Sequence, residues 1–498
     1  MSEKKRKILG HVFSYAGSQY FAQFTGFFTA VFMRRFLGPF NMGLWSLLRV
    51  ITDYASYAHL GTTSTVFYKI PLHRGRGDTE EADRVKNVVF SYLTVATLVT
   101  GAGIALYAMA YRHTLRPGMF WGLLVVSVLL LARRIFNYYM MLLRANKDFA
   151  VLSRSIIFDA VVNLALVFFI VRRFGLKGLF AVVLIMPVLN VLFIRRFVDY
   201  DLKYSFDLNK LSSYIRFGFP LFITSILLLV LQSVDKIMIA KFIGLEALGI
   251  YSIAVMAKSY SVGVSKNFNV VITPHFLEDY GRSNDMDRAM KYLKMPAEIM
   301  STFMAFMLGA VYLVAPVFIL KILPRYIDGI NALKFMLLAT YFHTASPQSD
   351  HFLIAMNKQA RLIPIFSSVI FMNIILNYLF IRMGYGITGV AASTALASLA
   401  GFIITLVYAL SHGTGFINTV RFVMYLFVPL IFSFLAINII GRPVFLGNAW
   451  GDAVLKLLLF FVLYTPLLYV VDKRTSVLRT MAGMIMDKVN KGRTRHER

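Results

Sequence analysis

Ionisable side chains stand deep inside stretches of this chain that are otherwise apolar. Arg49 and Asp53 are four residues apart, with Tyr57 one turn further on. At that spacing all three share one helical face. Arg133 and Arg134 precede Asn137, Asp159 precedes Asn163, and Asp235 adjoins Lys236. Lys258 and Lys266 share one stretch, and His343 leads into Ser346, Gln348, Asp350 and His351 around Pro347. An ionised group at a bilayer centre costs about 2.5–3.5 kcal/mol, so such groups face protein or water. Deep cations outnumber deep acids. A watery cavity bordered by Arg49, Arg133, Arg134, Lys258 and Lys266 would focus positive potential and draw in an anion. Arginine offers a fork of donors suited to phosphate, and lysine a mobile point charge. Tyr15, Tyr20, Tyr54, Tyr57 and Tyr138 add aromatic faces for sugar rings. The expected cargo is an anionic amphiphile, a lipid phosphate bearing sugar.

Asp53, Asp159, Asp235 and His343 are the candidates for ion coupling or charge balance. Plainer readings stand beside these. Arg49 and Asp53 could neutralise each other, and Asp159 could neutralise Arg133 or Arg134. Asp235–Lys236 could be structural, and His343 a satisfied core histidine. Lys258 has no acid three or four residues away on either side. A lone buried ammonium must lose its proton or find an anion.

The elements that position these groups are membrane helices. Hydrophobic residues make up 58% of the 498, only 15% are charged, and mean hydropathy is +0.67. Apolar windows of about 20 residues recur, as a helix crossing a ~30 Å core requires. About fourteen spans are expected, near 10–34, 41–63, 87–111, 118–143, 150–172, 176–197, 214–241, 247–273, 292–320, 329–356, 360–382, 387–411, 418–440 and 452–472. Starting the chain inside puts the Lys/Arg excess on the cytoplasmic side, so both termini are expected there. The fold class is an all-α polytopic membrane protein. The net charge of +28 is then topological and lipid-directed. Its basic ends, Lys4–Lys7 and Lys488–Arg498, suit anionic headgroups rather than nucleic acid. There is no cysteine. The first span is too long for a signal peptide. No Walker loop, HExxH, GxSxG or paired-aspartate motif occurs, so no enzyme, cofactor or metal site is expected.

The sequence also repeats itself. Phe36-Leu-Gly38-Pro-Phe-Asn-Met-Gly43-Leu-Trp45-Ser46-Leu47 runs in step with Phe242-Ile-Gly244-Leu-Glu-Ala-Leu-Gly249-Ile-Tyr251-Ser252-Ile253. Phe174-Gly175-Leu-Lys-Gly178-Leu-Phe-Ala181 later matches Tyr385-Gly386-Ile-Thr-Gly389-Val-Ala-Ala392. Spans 1–6 and 7–12 therefore read as parallel repeats with two helices added, as in transporters built of paired lobes. The expected division is 1–197 (N-lobe), 198–213 (amphipathic cytoplasmic linker on the membrane surface), 214–411 (C-lobe), 412–472 (helices 13–14) and 473–498 (basic cytoplasmic tail). The longest loop is expected at 64–86.

Arg35-Phe-Leu-Gly38-Pro39-Phe-Asn-Met-Gly43 and Val234-Asp235-Lys236 through Gly244-Leu-Glu-Ala-Leu-Gly249-Ile-Tyr251-Ser252 resemble the signatures of polysaccharide-biosynthesis flippases. These are the Wzx-type, O-antigen branch of the multidrug/oligosaccharidyl-lipid/polysaccharide (MOP) superfamily. The resemblance implies two six-helix lobes rocking about a central cavity. It also implies export of a polyprenyl-(pyro)phosphate-linked oligosaccharide across the cytoplasmic (inner) membrane by alternating access, for cell-surface polysaccharide assembly. Coupling to H+ or Na+ and glycan-assembly proteins as partners would fit. In the related lipid II flippases, cavity arginines lie on early helices and on helix 8, a place Lys258 or Lys266 would take here. The first span carries Gln19 and Gln23 and no deep arginine. The alternatives are a cation- or proton-coupled drug or metabolite antiporter of the same superfamily, or a lipid II flippase.

Overall fold

The computed structural model describes residues 3–283, 285–356, 358–441 and 447–475. The tail beyond 475 and the side chains of Lys4–Lys7 lie outside the described residues. Everything regular is helical: α1 (Glu3–Ser56), α2 (Thr62–Gly75), α3 (Thr79–Ala110), α4 (Pro117–Ala145), α5 (Phe149–Leu166), α6 (Arg172–Arg195), α7 (Leu208–Phe242), α8 (Leu245–Ser283), α9 (Met286–Ile322), α10 (Ile330–Ala345), α11 (Pro347–Ala355), α12 (Leu362–Arg382), α13 (Gly386–Leu410), α14 (Phe416–Gly441) and α15 (Ala449–Thr475). Among the described residues, nine helices are long and apolar enough to cross a membrane. One of them, Phe149–Arg195, contains two expected spans joined through a π-helical turn and bent at Gly175. The first two expected spans share α1, which breaks at Gly38 (φ 71°). The tenth is cut at Pro347 into α10 and α11.

Backbone geometry repeats along with the sequence. Gly175 and Gly386, matched residues of the later motif, both have φ of 55°. Only glycine adopts that region without a Cβ penalty, which explains why the motif keeps it in both copies.

The expected loop at 64–86 is mostly helix. Val66 and Ile70 of α2 bury against Ala82, Val85 and Val89 of α3. Asp78 caps α3 by accepting the Glu81 N–H at 3.0 Å. The mixed charges that suggested a loop are the capped first turns of a helix, where Arg84 reaches Glu80 and Glu81. The linker begins as irregular chain. From Val198 to Asp207 it has no regular secondary structure, and its backbone N–H groups donate to side chains of α3, Lys203 to Asn87 at 3.1 Å and Ser205 to Ser91 at 2.7 Å. Asp207 then caps α7 through the Lys210 N–H.

The chain divides into two compact units, 1–252 and 253–498, so α7 packs within the first unit and the division falls inside α8. In the first unit Leu48, Val126, Leu130, Val171 and Leu179 form a core between α1, α4 and α6. In the second, α10 packs on α13 and α9 on α14 and α15. Phe306 of α9 stacks on Phe460 of α15 at 5.7 Å, and the buried Tyr464 hydroxyl donates to the Thr302 carbonyl at 3.0 Å.

Candidate functional site

The first unit contains a polar cavity of about 720 Å³. The 3-10 turn between α1 and α2 gives it Tyr57 and His59; α2 gives Thr63 and Tyr68; α4 gives Arg134, Asn137 and Arg144; α7 gives Thr224 and Ser225. Residues 134, 137 and 141 recur at helical spacing, so one face of α4 forms a wall. No carboxylate lines this cavity among the described residues. Its two guanidinium groups therefore set its potential.

Arg134 is held rather than loose. Its Nη2 donates to the Ser56 carbonyl at 2.6 Å and its Nε to Thr97 Oγ1 at 3.1 Å. Two donors are thus committed to the wall, and a guanidinium has five. His59 Nδ1 accepts the Gly61 N–H at 2.9 Å, so that nitrogen carries no proton and Nε2 is the donor. Tyr57 donates to the Ser225 carbonyl at 3.1 Å and Tyr54 shares a 2.8 Å hydrogen bond with Ser233, tying α1 to α7. Below them Gly61 and Gly218 meet backbone to backbone; a Cβ on Gly218 would lie 2.1 Å from the Gly61 carbonyl oxygen.

The other end of this α1 segment is fixed by the sequence repeat itself. A Cβ on Gly43 would lie 1.7 Å from the Leu245 carbonyl oxygen, and one on Gly249 1.7 Å from that of Pro39. The two matched motifs therefore pack on each other through glycine, as small residues allow at helix crossings. Buried Arg34 locks the crossing: Nη2 donates to the Ser252 carbonyl at 2.8 Å and Nε to Ser252 Oγ at 3.2 Å.

Of the residues singled out from sequence, four gather in the first unit. Arg133 pairs with Asp53 at 3.7 Å, side chains 44% and 38% exposed. Asp53 is thus not the partner of Arg49, which is exposed and close enough to Arg133 to repel it. Arg134 follows Arg133 in chain order and lines the cavity. Asp159 lies apart from these arginines' hydrogen bonds and accepts from Asn190 Nδ2 at 2.6 Å. Asp235 is buried and accepts the Tyr251 hydroxyl at 3.0 Å. In the second unit Lys258 is half-buried and Lys266 exposed, and His343 lies within electrostatic reach of both. Ser265 donates to the Thr344 carbonyl at 3.3 Å, joining α8 to α10 beside them.

Three residues escaped sequence reasoning. Arg144 and His59 fall near predicted span ends, where a depth criterion discards them. Arg34 falls at a span end too; its signal was its place two residues before the repeated motif.

Residues 32–325 match the family described as polysaccharide biosynthesis protein, well over half of the chain. Among solved structures, the lipid II flippase MurJ in an inward closed conformation superposes with TM-score 0.71 at 14% identity, covering 92% of this chain and 99% of that one. An inward-facing multidrug resistance MATE family transporter of the MOP superfamily gives 0.63 at 17%, covering 79% and 96%. A MOP superfamily transporter from Pyrococcus furiosus, reported to have a binding pocket of reversed polarity, gives 0.52 at 17%, covering 81% and 95%. At such identities these likenesses establish a shared fold and nothing further. No curated protein matches the chain by sequence.

Proposed function

Because the chain belongs to the polysaccharide biosynthesis protein family, we propose that it is a flippase for a polyprenyl-(pyro)phosphate-linked oligosaccharide in the cytoplasmic membrane. The observation that carries this reading is the cavity bordered by Arg134 and Arg144, with hydroxyls and tyrosines around them and no carboxylate in its lining. Phosphate oxygens would accept from the free donors of the two guanidinium groups. Sugar hydroxyls would exchange hydrogen bonds with Thr63, Asn137 and Thr224 and lie against Tyr57 and Tyr68. The polyprenyl chain would stay among the bilayer chains, where its burial costs nothing. Alternating access would carry the headgroup from the inner to the outer leaflet, both termini staying cytoplasmic. Arg49 and Arg133 would add to the positive field of the first unit, Lys258 and Lys266 to that of the second, and H+ or Na+ would couple through Asp53, Asp159 or His343. A drug antiporter of the same fold would need an anionic site for its cations, and the described residues lining this cavity supply none.

The test replaces Arg134 and Arg144 by Gln, singly and together, and measures surface polysaccharide at matched protein levels. Losing one charge-assisted contact should lower export about tenfold. Undiminished export by the double variant refutes the proposal, as does purified protein that binds cationic dyes and not a polyprenyl pyrophosphate.

A further inference from the structure

The second unit holds a different cavity, of about 430 Å³, between α9, α10 and α14. Its walls are mostly hydrocarbon, from Leu308, Phe335, Leu338, Leu430, Phe434 and Ile437, with Asn331 and Thr388 as polar members. The one serine there is already engaged, Ser433 donating to the Ala305 carbonyl at 3.0 Å. Phe335 and Phe434 are 40% and 61% exposed, so the slot opens sideways at the apolar surface of its helices. A slot of this size and lining suits an alkyl chain.

Lys334 stands at its rim. The same residue borders a neighbouring space of about 330 Å³ that contains Asp452 and Lys456, and Tyr312 and Ile437 border both, so the two spaces join at Lys334. The Lys456 ammonium is neutralised, donating to Asp452 at 2.8 Å and to the Gly441 carbonyl at 3.2 Å. The Lys334 ammonium instead lies 5.2 Å from the centre of the Tyr312 ring, and no carboxylate among the described residues pairs with it. The mouth of an apolar slot thus carries one uncompensated positive charge. An ammonium at a membrane helix surface is stable only with an anion or water beside it.

We infer that this is a binding site for an anionic phospholipid, one acyl chain in the slot and the phosphodiester on Lys334. The charge count selects the headgroup. A phosphodiester brings one negative charge and is matched; a pyrophosphate brings more and would face the Asp452 carboxylate unmatched. The site shares no residue with the arginine-lined cavity, and it stands or falls independently of the cargo proposed for that cavity.

The test is native mass spectrometry of the full-length protein released from phosphatidylcholine nanodiscs doped with phosphatidylglycerol. The wild-type protein retains phosphatidylglycerol. Lys334→Gln lowers retention about tenfold, the scale of one charge-assisted contact, and Lys334→Arg restores it. Leu430→Trp, which fills the slot, lowers retention with Lys334 intact. Melting temperatures matching wild type show that the variants are folded, and if Leu430→Trp fails to fold, Lys334→Gln decides alone. Equal retention by Lys334→Gln and wild type overturns the site. Preferential retention of a polyprenyl phosphate over phosphatidylglycerol overturns the assignment of the lipid.

Discussion

Substituting Gly249 by Ala probes the crossing of the two repeated motifs. The new methyl would sit 1.7 Å from the Pro39 carbonyl oxygen and 2.5 Å from its carbon, whereas ordinary contact begins at 3.4 Å. The obstacle is backbone, so no side chain can swing aside, and the helices must part by roughly the missing distance. Overpacking of this kind costs about 1–3 kcal/mol, and backbone on both sides puts this case at the upper end. Parting the helices also stretches the Arg34 bonds to Ser252, now 2.8 and 3.2 Å. A loss of about 3 kcal/mol in a unit of this size corresponds to a melting temperature lower by roughly 6–12 °C. The assay is thermal unfolding of the detergent-solubilised full-length protein, followed by circular dichroism. Gly17→Ala is the control, because a Cβ there meets nothing within 4 Å; it should be neutral or slightly stabilising. The Gly43→Ala/Gly249→Ala double variant should lose less than the two single losses combined, since one separation relieves both clashes. If Gly249→Ala melts like Gly17→Ala, the packing argument is wrong.

Two further outcomes follow from polar contacts. Glu81 lies in the charged first turn of α3, outside the apolar stretch, and its hydrogen bond from Lys210 at 2.7 Å holds its carboxyl below the usual 4.5. A depressed carboxyl stabilises the fold above its unfolded pKa, and this contribution disappears as pH falls through the folded value. Wild-type melting should therefore drop more steeply below about pH 4.5 than that of Lys210→Met, and parallel pH profiles would count against this clasp. Tyr251→Phe takes a donor from the buried Asp235 and should cost about 1–3 kcal/mol, read as a lower melting temperature that Asp235→Asn largely cancels in a double-mutant cycle.

Hydropathy made the helices legible because a membrane span needs a long apolar run regardless of its neighbours. The motif glycines were legible as well, and their geometry gave a reason for them: Gly43 and Gly249 touch, and Gly175 and Gly386 share a positive φ of 55°. Partnerships between helices were not legible. Spacing on one helix pointed Asp53 at Arg49, but the nearer guanidinium comes from α4, and nothing in a single sequence reports which helices are adjacent. Segment 64–86 misled for another reason. A short helix with Pro71 inside it and alternating charges around its end has the composition of a loop, and only its burial against α3 shows otherwise. The arginine cavity was half visible: depth flagged Arg134, and the same criterion hid Arg144 and His59 at the helix ends where the cavity lies.

The irregular strap before α7 has a mechanical consequence. It is fastened by its own amides at residues 203 and 205, and two residues of chain, at most roughly 7 Å, separate the last fastening from the helix cap at Asp207. So short a tether has no slack. Sliding α7 lengthwise would snap it, whereas swinging α7 about that lower end would leave it whole. The strap pins one end of the seventh helix and the glycine crossing the other, so any stroke must carry α7 together with the end of α1 to which it is tied.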